Sequence, residues 1–310
     1  MAAQTTAQPL EAVPNLAEGR DTDTIDAIGR ALRSHGVELL DVHSDADHQR
    51  SVFTVIGAPQ LLAGALLAAA AEGIARIDLR DYSGVHPCTG ALDVLPIVYL
   101  SAGQRELARD EALAVANRLG AEAGLPVFLY GELASGPDRG ERAFFRDGGT
   151  AALSARLEAG ELAPDFGPAR LHPTAGATLV TARPPLVAFN IELSGVGVSQ
   201  AREIAAAVRE AGGGLPGVRA IGLELTGQQT VQVSANIHDP FEVPLQRLVE
   251  AVRREGEPRG AAVSAAELVG LAPAAALDGL ELDLLRDFDP RLHVLEERIP
   301  NDGQIKTEIT

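Results

Sequence analysis

Apolar residues fall into short runs of distinct period along the chain, and those periods predict the elements. Ile25, Ile28 and Leu32 share one face of a helix over Thr24 to Ser34, and Asp21 or Thr22 supplies the side-chain oxygen that caps such a helix. After His35-Gly36, the run VELLDV (Val37 to Val42) reads as a buried strand and SVFTVIG (Ser51 to Gly57) as its partner. Pro59 to Gly73 is an alanine-rich helix with proline in its first turn. LPIVYL (Leu95 to Leu100) is a further strand. A helix over Gln104 to Leu119 then places Ala108, Ala112, Val115, Ala116 and Leu119 on one face, and PVFLYG (Pro126 to Gly131) reads as a strand. From residue 11 the order is β-α-β-β-α-β followed by α-β. Residues 132 to 162 are rich in Gly, Arg and acids around a short helix from Thr150 to Glu158, and two Gly/Pro loops, PDFGP and LHPTAGA, follow.

The second half repeats the plan. Val187, Phe189, Ile191 and Leu193 alternate with small or polar residues, and Ala201, Ile204, Ala205 and Val208 then share a helical face. Ile221, Leu223 and Leu225 alternate, Gly227-Gln228 turns, and Val231, Val233, Ala235 and Ile237 alternate back, the pattern of a hairpin. Leu245, Leu248, Val249 and Val252 mark a helix, and Ala261 to Leu268 returns as the last strand. The expected class is α+β, with two ferredoxin-like (βαββαβ) subdomains and helices on one face of each sheet. The expected divisions are an N-terminal subdomain over residues 1–182, a C-terminal one over 183–300 and a polar tail over 301–310, with residues 1–9 as a disordered leader.

Composition limits what such a chain can do. It has 310 residues, 46% of them hydrophobic and 22% charged, which is ordinary for a soluble globular protein. The net charge of −17 disfavours nucleic acid and anionic membrane surfaces, so neither is an expected partner; an anionic ligand would need a local pocket of arginines. The only cysteine is Cys88, which excludes an internal disulfide and a multi-cysteine metal site. The most apolar run, Ala58 to Ala71, is too short to span a bilayer, and the N-terminus lacks the basic start and apolar core of a signal peptide. A cytoplasmic location is expected.

Residues with special chemistry concentrate in one stretch, LRDYSGVHPCTGALDVLP (Leu79 to Pro96). Pro87 biases His86 away from helical angles, and Gly84 and Gly90 permit turns other residues resist. The run admits both a structural loop with a solvated or helix-facing histidine and a catalytic loop, and residues elsewhere must decide. His43 and His48 sit with Asp41, Asp45 and Asp47, which raises a metal site. The spacing matches no standard ligand pattern, so a solvated acidic loop is the preferred reading and no metal is expected. No Ser lies in a G-x-S-x-G setting, Cys88 is a weak nucleophile candidate so close to His86, and neither a P-loop nor a G-x-G-x-x-G follows a strand. His86 as a general acid or base remains, since imidazole carries protons near neutrality without a metal.

The motifs VPNLAEGR, RSVFTVIG, GVHPCTGALDVLP, PVFLYGE, APDFGP, HPTAGAT and AR-P-P-LVAFNI, in this order from Val13 to at least Leu277, resemble the glutamate formimidoyltransferase family, the formiminotransferase domain of histidine breakdown and one-carbon metabolism. The resemblance implies transfer of a formimino group from N-formimino-L-glutamate to tetrahydrofolate as co-substrate, in a groove flanked by two ferredoxin-like subdomains. It places His86 at the catalytic histidine. It assigns folate binding to the loop Gly167, Pro168, Ala169, Arg170, Leu171, His172, Pro173, Thr174, Ala175 and Gly176. Arg50 and Arg183 are the candidates to hold substrate carboxylates, with surface ion pairs as the alternative. Exposed edges of paired sheets would suit a homodimer. The family's cyclodeaminase domain has no counterpart in this chain. The chain departs from the family where HPR reads His86-Pro87-Cys88, Gly-Glu-His reads Gly84-Val85-His86, an acid is replaced by His43, and Asn-Arg reads Gln49-Arg50. Each lost charged hydrogen bond is worth about 1.5–3 kcal/mol, so these changes bear on activity and substrate more than on fold. Two rival readings follow: a folate-binding homologue lacking transferase activity, and a transferase using another formimino or formyl donor.

Overall fold

Pro14 breaks the first strand, which the apolar pattern did not reveal. The computed structural model describes residues 9–225, 227, 229–300 and 309. In it Leu10–Ala12 (β1) and Asn15–Leu16 (β2) lie end to end between the same two neighbours, β4 (Arg50–Gly57) and β5 (Leu92–Val98), pairing antiparallel with both. Pro14 has no N–H to give the ladder, so the strand is interrupted there, while its carbonyl still accepts from Phe53 N at 3.0 Å. Asp21 caps α1 (Thr22–Arg33) by accepting from Asp23 N, and Ile25, Ile28 and Leu32 are buried as their spacing predicts. β3 (Glu38–Asp45) forms the antiparallel hairpin with β4, and α2 (Pro59–Arg76) starts at its proline.

α3 (Arg105–Glu122) follows β5, burying Ala108, Ala112, Val115, Ala116 and Leu119, and leads into β6 (Val127–Leu129). Two further helices, α4 (Ala143–Arg146) and α5 (Gly149–Glu158), precede β7 (Thr178–Arg183). The sequence pattern did not predict β7, which inserts between β5 and β6 and runs parallel to both. The resulting seven-stranded sheet has β3 and β4 at one side, β1 and β2 next, then β5, β7 and β6. One face packs on α1, α2 and α3 through Phe53, Val55, Leu95, Ile97 and Val180. On the other face, Val94, Phe128 and Leu179 pack under Phe145, Leu153 and Leu157 of α4 and α5. The remainder of that face, over β1, β2 and β4, carries Glu11, Asn15, Arg50 and Thr54 alongside the apolar Val52 and Ile56.

A second unit begins at Pro184, where the first, ending at Arg183, stops. Its elements are β8 (Val187–Ser194), α6 (Val198–Val208), β9 (Val218–Leu225), β10 (Thr230–Ile237), α7 (Leu245–Gly256) and β11 (Ala262–Val269), followed by α8 (Pro290–His293) and α9 (Leu295–Arg298). The lateral order is β11-β8-β10-β9, all antiparallel. α6 crosses the sheet so closely that a Cβ on Gly222 would lie 2.4 Å from Arg202 N. Gln228 of the predicted hairpin turn, the predicted leader apart from Pro9, and the predicted tail apart from Ile309 lie outside the described residues. Among the described residues no helix is long and apolar enough to cross a membrane.

Candidate active site

The loop bearing His86 is stitched to the β3–β4 turn. Tyr82 directs its hydroxyl at the carbonyls of His86 (2.6 Å) and His48 (3.0 Å), Val85 N donates to Asp47 O, and Ser83 N donates to Gln49 Oε1 at 2.9 Å. Gln49 takes a left-handed conformation (φ 49°) to present that oxygen. Gly84 is required, since a Cβ there would stand 2.4 Å from His48 O. The expected solvated acidic loop is corrected by this packing: Asp45 belongs to β3, and His48 is buried, its backbone N–H bonding Asp45 Oδ1 at 2.6 Å and its ring Nδ1 3.4 Å from the same oxygen. Burial would raise the Asp45 carboxyl, but these contacts with His48 outweigh it and hold it below the usual range.

The His86 ring is fixed in one useful state. Its Nδ1 lies 2.9 Å from Pro87 O, which can only accept, so Nδ1 carries the proton and Nε2 the lone pair. Arg50 Nη1 stands 2.8 Å from Nε2 and 3.3 Å from Nδ1, against the side of the ring that joins the two nitrogens. Nη2 of Arg50 is anchored by Asn15 Oδ1, and the His48 ring meets His86 edge-on at 6.0 Å between centroids. Burial first, then the positive charge of Arg50 and, further off, of Arg146 and Arg142, drives the His86 pKa well below the usual imidazole value. The ring is therefore neutral at pH 7, with its acceptor Nε2 facing the Nη1 donor of Arg50 at 2.8 Å. Burial also pushes the Cys88 thiol up to about 12, with Asp93 adding to the rise, so Cys88 is no nucleophile at neutral pH.

Asp93 holds the far side of the loop. Its carboxylate, 2% exposed, accepts from Thr89 N (2.7 Å), Thr89 Oγ1 (2.9 Å) and Arg146 Nη2 (2.5 Å). Beyond Thr89 the chain docks on the predicted folate loop. Gly90 bridges Gly176, Ala91 N donates to Ala175 O, Ala177 N to Thr89 O, and Leu79 N to Thr174 O. A Cβ on Gly90 would meet Ala177 O at 2.0 Å and one on Gly176 would meet Thr89 O at 2.2 Å, so the two loops touch through glycine on both sides. His172 closes the turn, accepting at Nδ1 from Ala175 N (3.0 Å), which makes it a turn former. The structure thus brings Thr174 to Gly176 against the His86 loop. Gly167, at the other end, packs instead on Gly120 and Leu125.

Further groups lie on the face of the sheet turned away from α1, α2 and α3. Glu11 is opposite Val98 and Val98 is opposite Arg183, so Glu11 and Arg183 share that face two strands apart. Burial raises the Glu11 carboxyl to about 7 against the pull of Arg183. Burial lowers Arg50 and Arg183 to about 10, leaving both charged at neutrality, and lowers Arg142 as well. Sequence reasoning missed Asn15, Glu11, Asp93, Arg142 and Arg146. The first and third lie inside the quoted motifs VPNLAEGR and GALDVLP, a signal that was available; Arg142 and Arg146 lie in a segment whose many charges read as surface.

Two family models match the chain: the N-terminal subdomain of the formiminotransferase domain over residues 9–183, and the formiminotransferase domain over residues 188–298. The chain belongs to the formiminotransferase family. Within that family it is 37% identical to a glutamate formimidoyltransferase of Streptococcus pyogenes serotype M1, covering 94% of this chain and 99% of that protein. It is 35% identical to a glutamate formimidoyltransferase of Thermoplasma acidophilum over 86% of this chain and 89% of the relative. Against the formimidoyltransferase-cyclodeaminase of Rattus norvegicus, 36% identity spans 96% of this chain but only 61% of the longer protein. In this formiminotransferase, Cys88 and Val85 flank a histidine whose ring is held by Arg50, Pro87 and His48.

Proposed function

We propose that the chain transfers a formimino group between N-formimino-L-glutamate and tetrahydrofolate, with His86 carrying the proton. The observation that carries this reading is the neutral His86 ring, its Nδ1–H turned to Pro87 O and its Nε2 acceptor facing the Arg50 Nη1 donor that substrate would displace, on a loop docked to Thr174–Gly176. Tetrahydrofolate supplies the accepting N5 amine. His86 Nε2 takes the proton released as the N5–carbon bond forms at the amidine, then returns it to the glutamate nitrogen as the old carbon–nitrogen bond breaks. The loop Gly167 to Gly176 fits a folate: Arg170 is exposed on it with no ion-pair partner among the described residues, suited to the anionic tail. Arg50, whose Nε is buried without a hydrogen-bond partner among the described residues, and Arg183 are proposed to receive substrate carboxylates. The βαββαβ order of the second unit, with its fourth strand beside the first and its third beside the first on the other side, supports reading it as ferredoxin-like; so does the run β3-β4-(β1, β2)-β5 in the first.

The test is formation of 5-formimino-tetrahydrofolate by the purified protein and by His86→Ala. Turnover is expected to fall at least about 100-fold in the variant, with tetrahydrofolate binding retained. Equal rates in the two proteins would remove His86 from the mechanism. Wild-type protein that binds tetrahydrofolate without turning over this donor would exclude N-formimino-glutamate as its substrate.

A further inference from the structure

Two neutral acceptors hold the Arg50 guanidinium. Nη1 donates to His86 Nε2 at 2.8 Å and Nη2 to Asn15 Oδ1, while Nε is buried without a hydrogen-bond partner among the described residues. Burial lowers its pKa only to about 10, so the group is charged, yet no carboxylate among the described residues touches it. Asp93, whose charge acts on Arg50, is occupied by Thr89 and Arg146, and Asp45, its cross-strand neighbour, holds His48. A carboxylate gives a cation a hydrogen bond about twice as strong as a neutral acceptor does, so a guanidinium held in this way exchanges partners when an anion arrives. Asn15 is fixed to make its contact. The chain resumes pairing at Asn15 after the break at Pro14, opposite Val52 on one side and Val94 on the other, and Nδ2 donates to Val13 O at 2.7 Å. That bond settles which end of the amide is which and turns Oδ1 to Arg50. On the other side, a Cβ on Gly19 would lie 2.6 Å from Arg50 N, so the chain after β2 runs against the Arg50 backbone and leaves only the side chain free to swing.

We propose that Asn15 is a positioning residue that latches Arg50 across His86 Nε2, so that the base stays covered until a carboxylate of the donor draws the guanidinium off; this rests on the transferase reading above. While Arg50 donates to Nε2, the lone pair there cannot take a proton from the accepting amine. A carboxylate that engages the idle Nε–H and a neighbouring Nη–H in the bidentate fork takes the guanidinium from its two neutral partners and leaves Nε2 open. The carboxylate then becomes a condition of proton transfer as well as of binding. A compound without one meets an occupied base, so discrimination against it falls on kcat, as in sites that the correct substrate itself completes.

Asn15→Leu and Asn15→Asp test the latch in the full-length protein. Leucine has the shape of asparagine without an acceptor, whereas aspartate keeps the acceptor and adds a charge that binds Arg50 more firmly. The ligand-free proteins are treated at pH 7 with diethyl pyrocarbonate, which acylates an uncovered imidazole nitrogen, and the rate at His86 is read by peptide mass spectrometry against the rate at buried His48. Relative to wild type, the leucine variant is expected to react at His86 about 10-fold faster and the aspartate variant about 10-fold slower, the effect of one hydrogen bond to a charged donor. A merely structural asparagine would move both variants in the same direction. Glutarate, a dicarboxylate that cannot react, is then added to wild type carrying isotope-labelled histidine. The His86 Nε2 resonance should move toward that of an unbonded acceptor nitrogen, the position it already holds in the leucine variant. With N-formimino-glutamate, Asn15→Asp should raise the donor KM about 10-fold, since its carboxylate competes with the donor's for Arg50. The assignment is overturned if both variants change His86 in the same direction or not at all, if His48 follows His86, if the donor KM of the aspartate variant is that of wild type, or if glutarate leaves the Nε2 resonance in place. A glutarate-driven shift in a protein that shows no formimino transfer would uphold the latch while refuting the transferase reading.

Discussion

Replacing Asp93 should unhinge the His86 loop from the sheet. The side chain is 2% exposed and accepts three hydrogen bonds, two from Thr89 and one from Arg146, whose Nε is itself buried without a partner among the described residues. Asp93→Ala strips all three and strands Arg146, itself only 12% exposed, as an uncompensated cation. Breaking a buried pair by removing one partner costs about 3–5 kcal/mol, and the lost Thr89 contacts place the alanine variant in the upper part of that range. Asp93→Asn preserves an acceptor for Thr89 and loses the charge, so it should cost less, about 1.5–3 kcal/mol. Arg146→Met alone leaves the carboxylate unpaired. The double variant Asp93→Asn/Arg146→Met removes both charges, and replacing both partners of a buried pair is often close to neutral, so it should recover much of the loss. Urea unfolding of wild type and the four variants supplies the free energies, and the double-mutant cycle isolates the pair. An alanine variant costing less than about 1 kcal/mol, or a cycle in which the single effects simply add, would refute the claim that Asp93 is the anchor.

Glu11 gives the stability of the protein a pH signature. Its carboxyl titrates near 7 in the fold against 4.5 for the ordinary group, so between those values the native state holds a proton that the unfolded chain has released. Stability is therefore lost as pH rises through this window, reaching about 3 kcal/mol above pH 7, and Glu11→Gln should match wild type near pH 4 and exceed it near pH 8. Thermal melts across that range that keep a constant gap between the two proteins would contradict this. Gly176→Ala meets both a left-handed backbone (φ 65°) and Thr89 O at 2.2 Å, whereas Gly213→Ala meets a left-handed backbone (φ 82°) in open space. The second should cost about 1–2 kcal/mol for the backbone alone, and the first clearly more, with turnover falling as the His86 loop shifts. Equal melting temperatures for the two variants would show that contact between the loops is not what demands glycine at 176.

How far the fold was legible depended on whether each element kept one face polar. β8 and β10 alternate cleanly because helices α6 and α7 cover only one side of their sheet, and α1 and α3 show their buried stripes at helical spacing; in β9 the apolar Ile221, 38% exposed, faces away from the helices while Val218, Ala220 and Gly222 face them. β7 was missed for the opposite reason. It is central and parallel, packed by α3 on one face and by α4 and α5 on the other, so Thr178–Arg183 shows no alternation and merges with the Gly/Pro loop before it. β1 and β2 were counted as one strand from residue 11, and their division was not legible because Pro14 leaves two pieces of three and two residues, below any window in which a period can be read.

The site divides along the same physical line. His86 stood out through local chemistry, an imidazole before proline between two glycines, whereas Arg50 and the Gly167–Gly176 loop were marked by the resemblance of their motifs to the family. Asp93, Glu11, Arg142 and Arg146 are ordinary charged residues in sequence and become unusual only through burial, which arises when the sheet gathers positions far apart along the chain. The same gathering explains how a protein of net charge −17 can present a cationic site. Exposed acids more than about 10 Å away are screened by salt, whereas arginines drawn together in a desolvated pocket act on a ligand at short range through a medium of low polarity. Net charge thus speaks to the far field of this molecule, and the sign of the field at His86 is set by Arg50 and its neighbours.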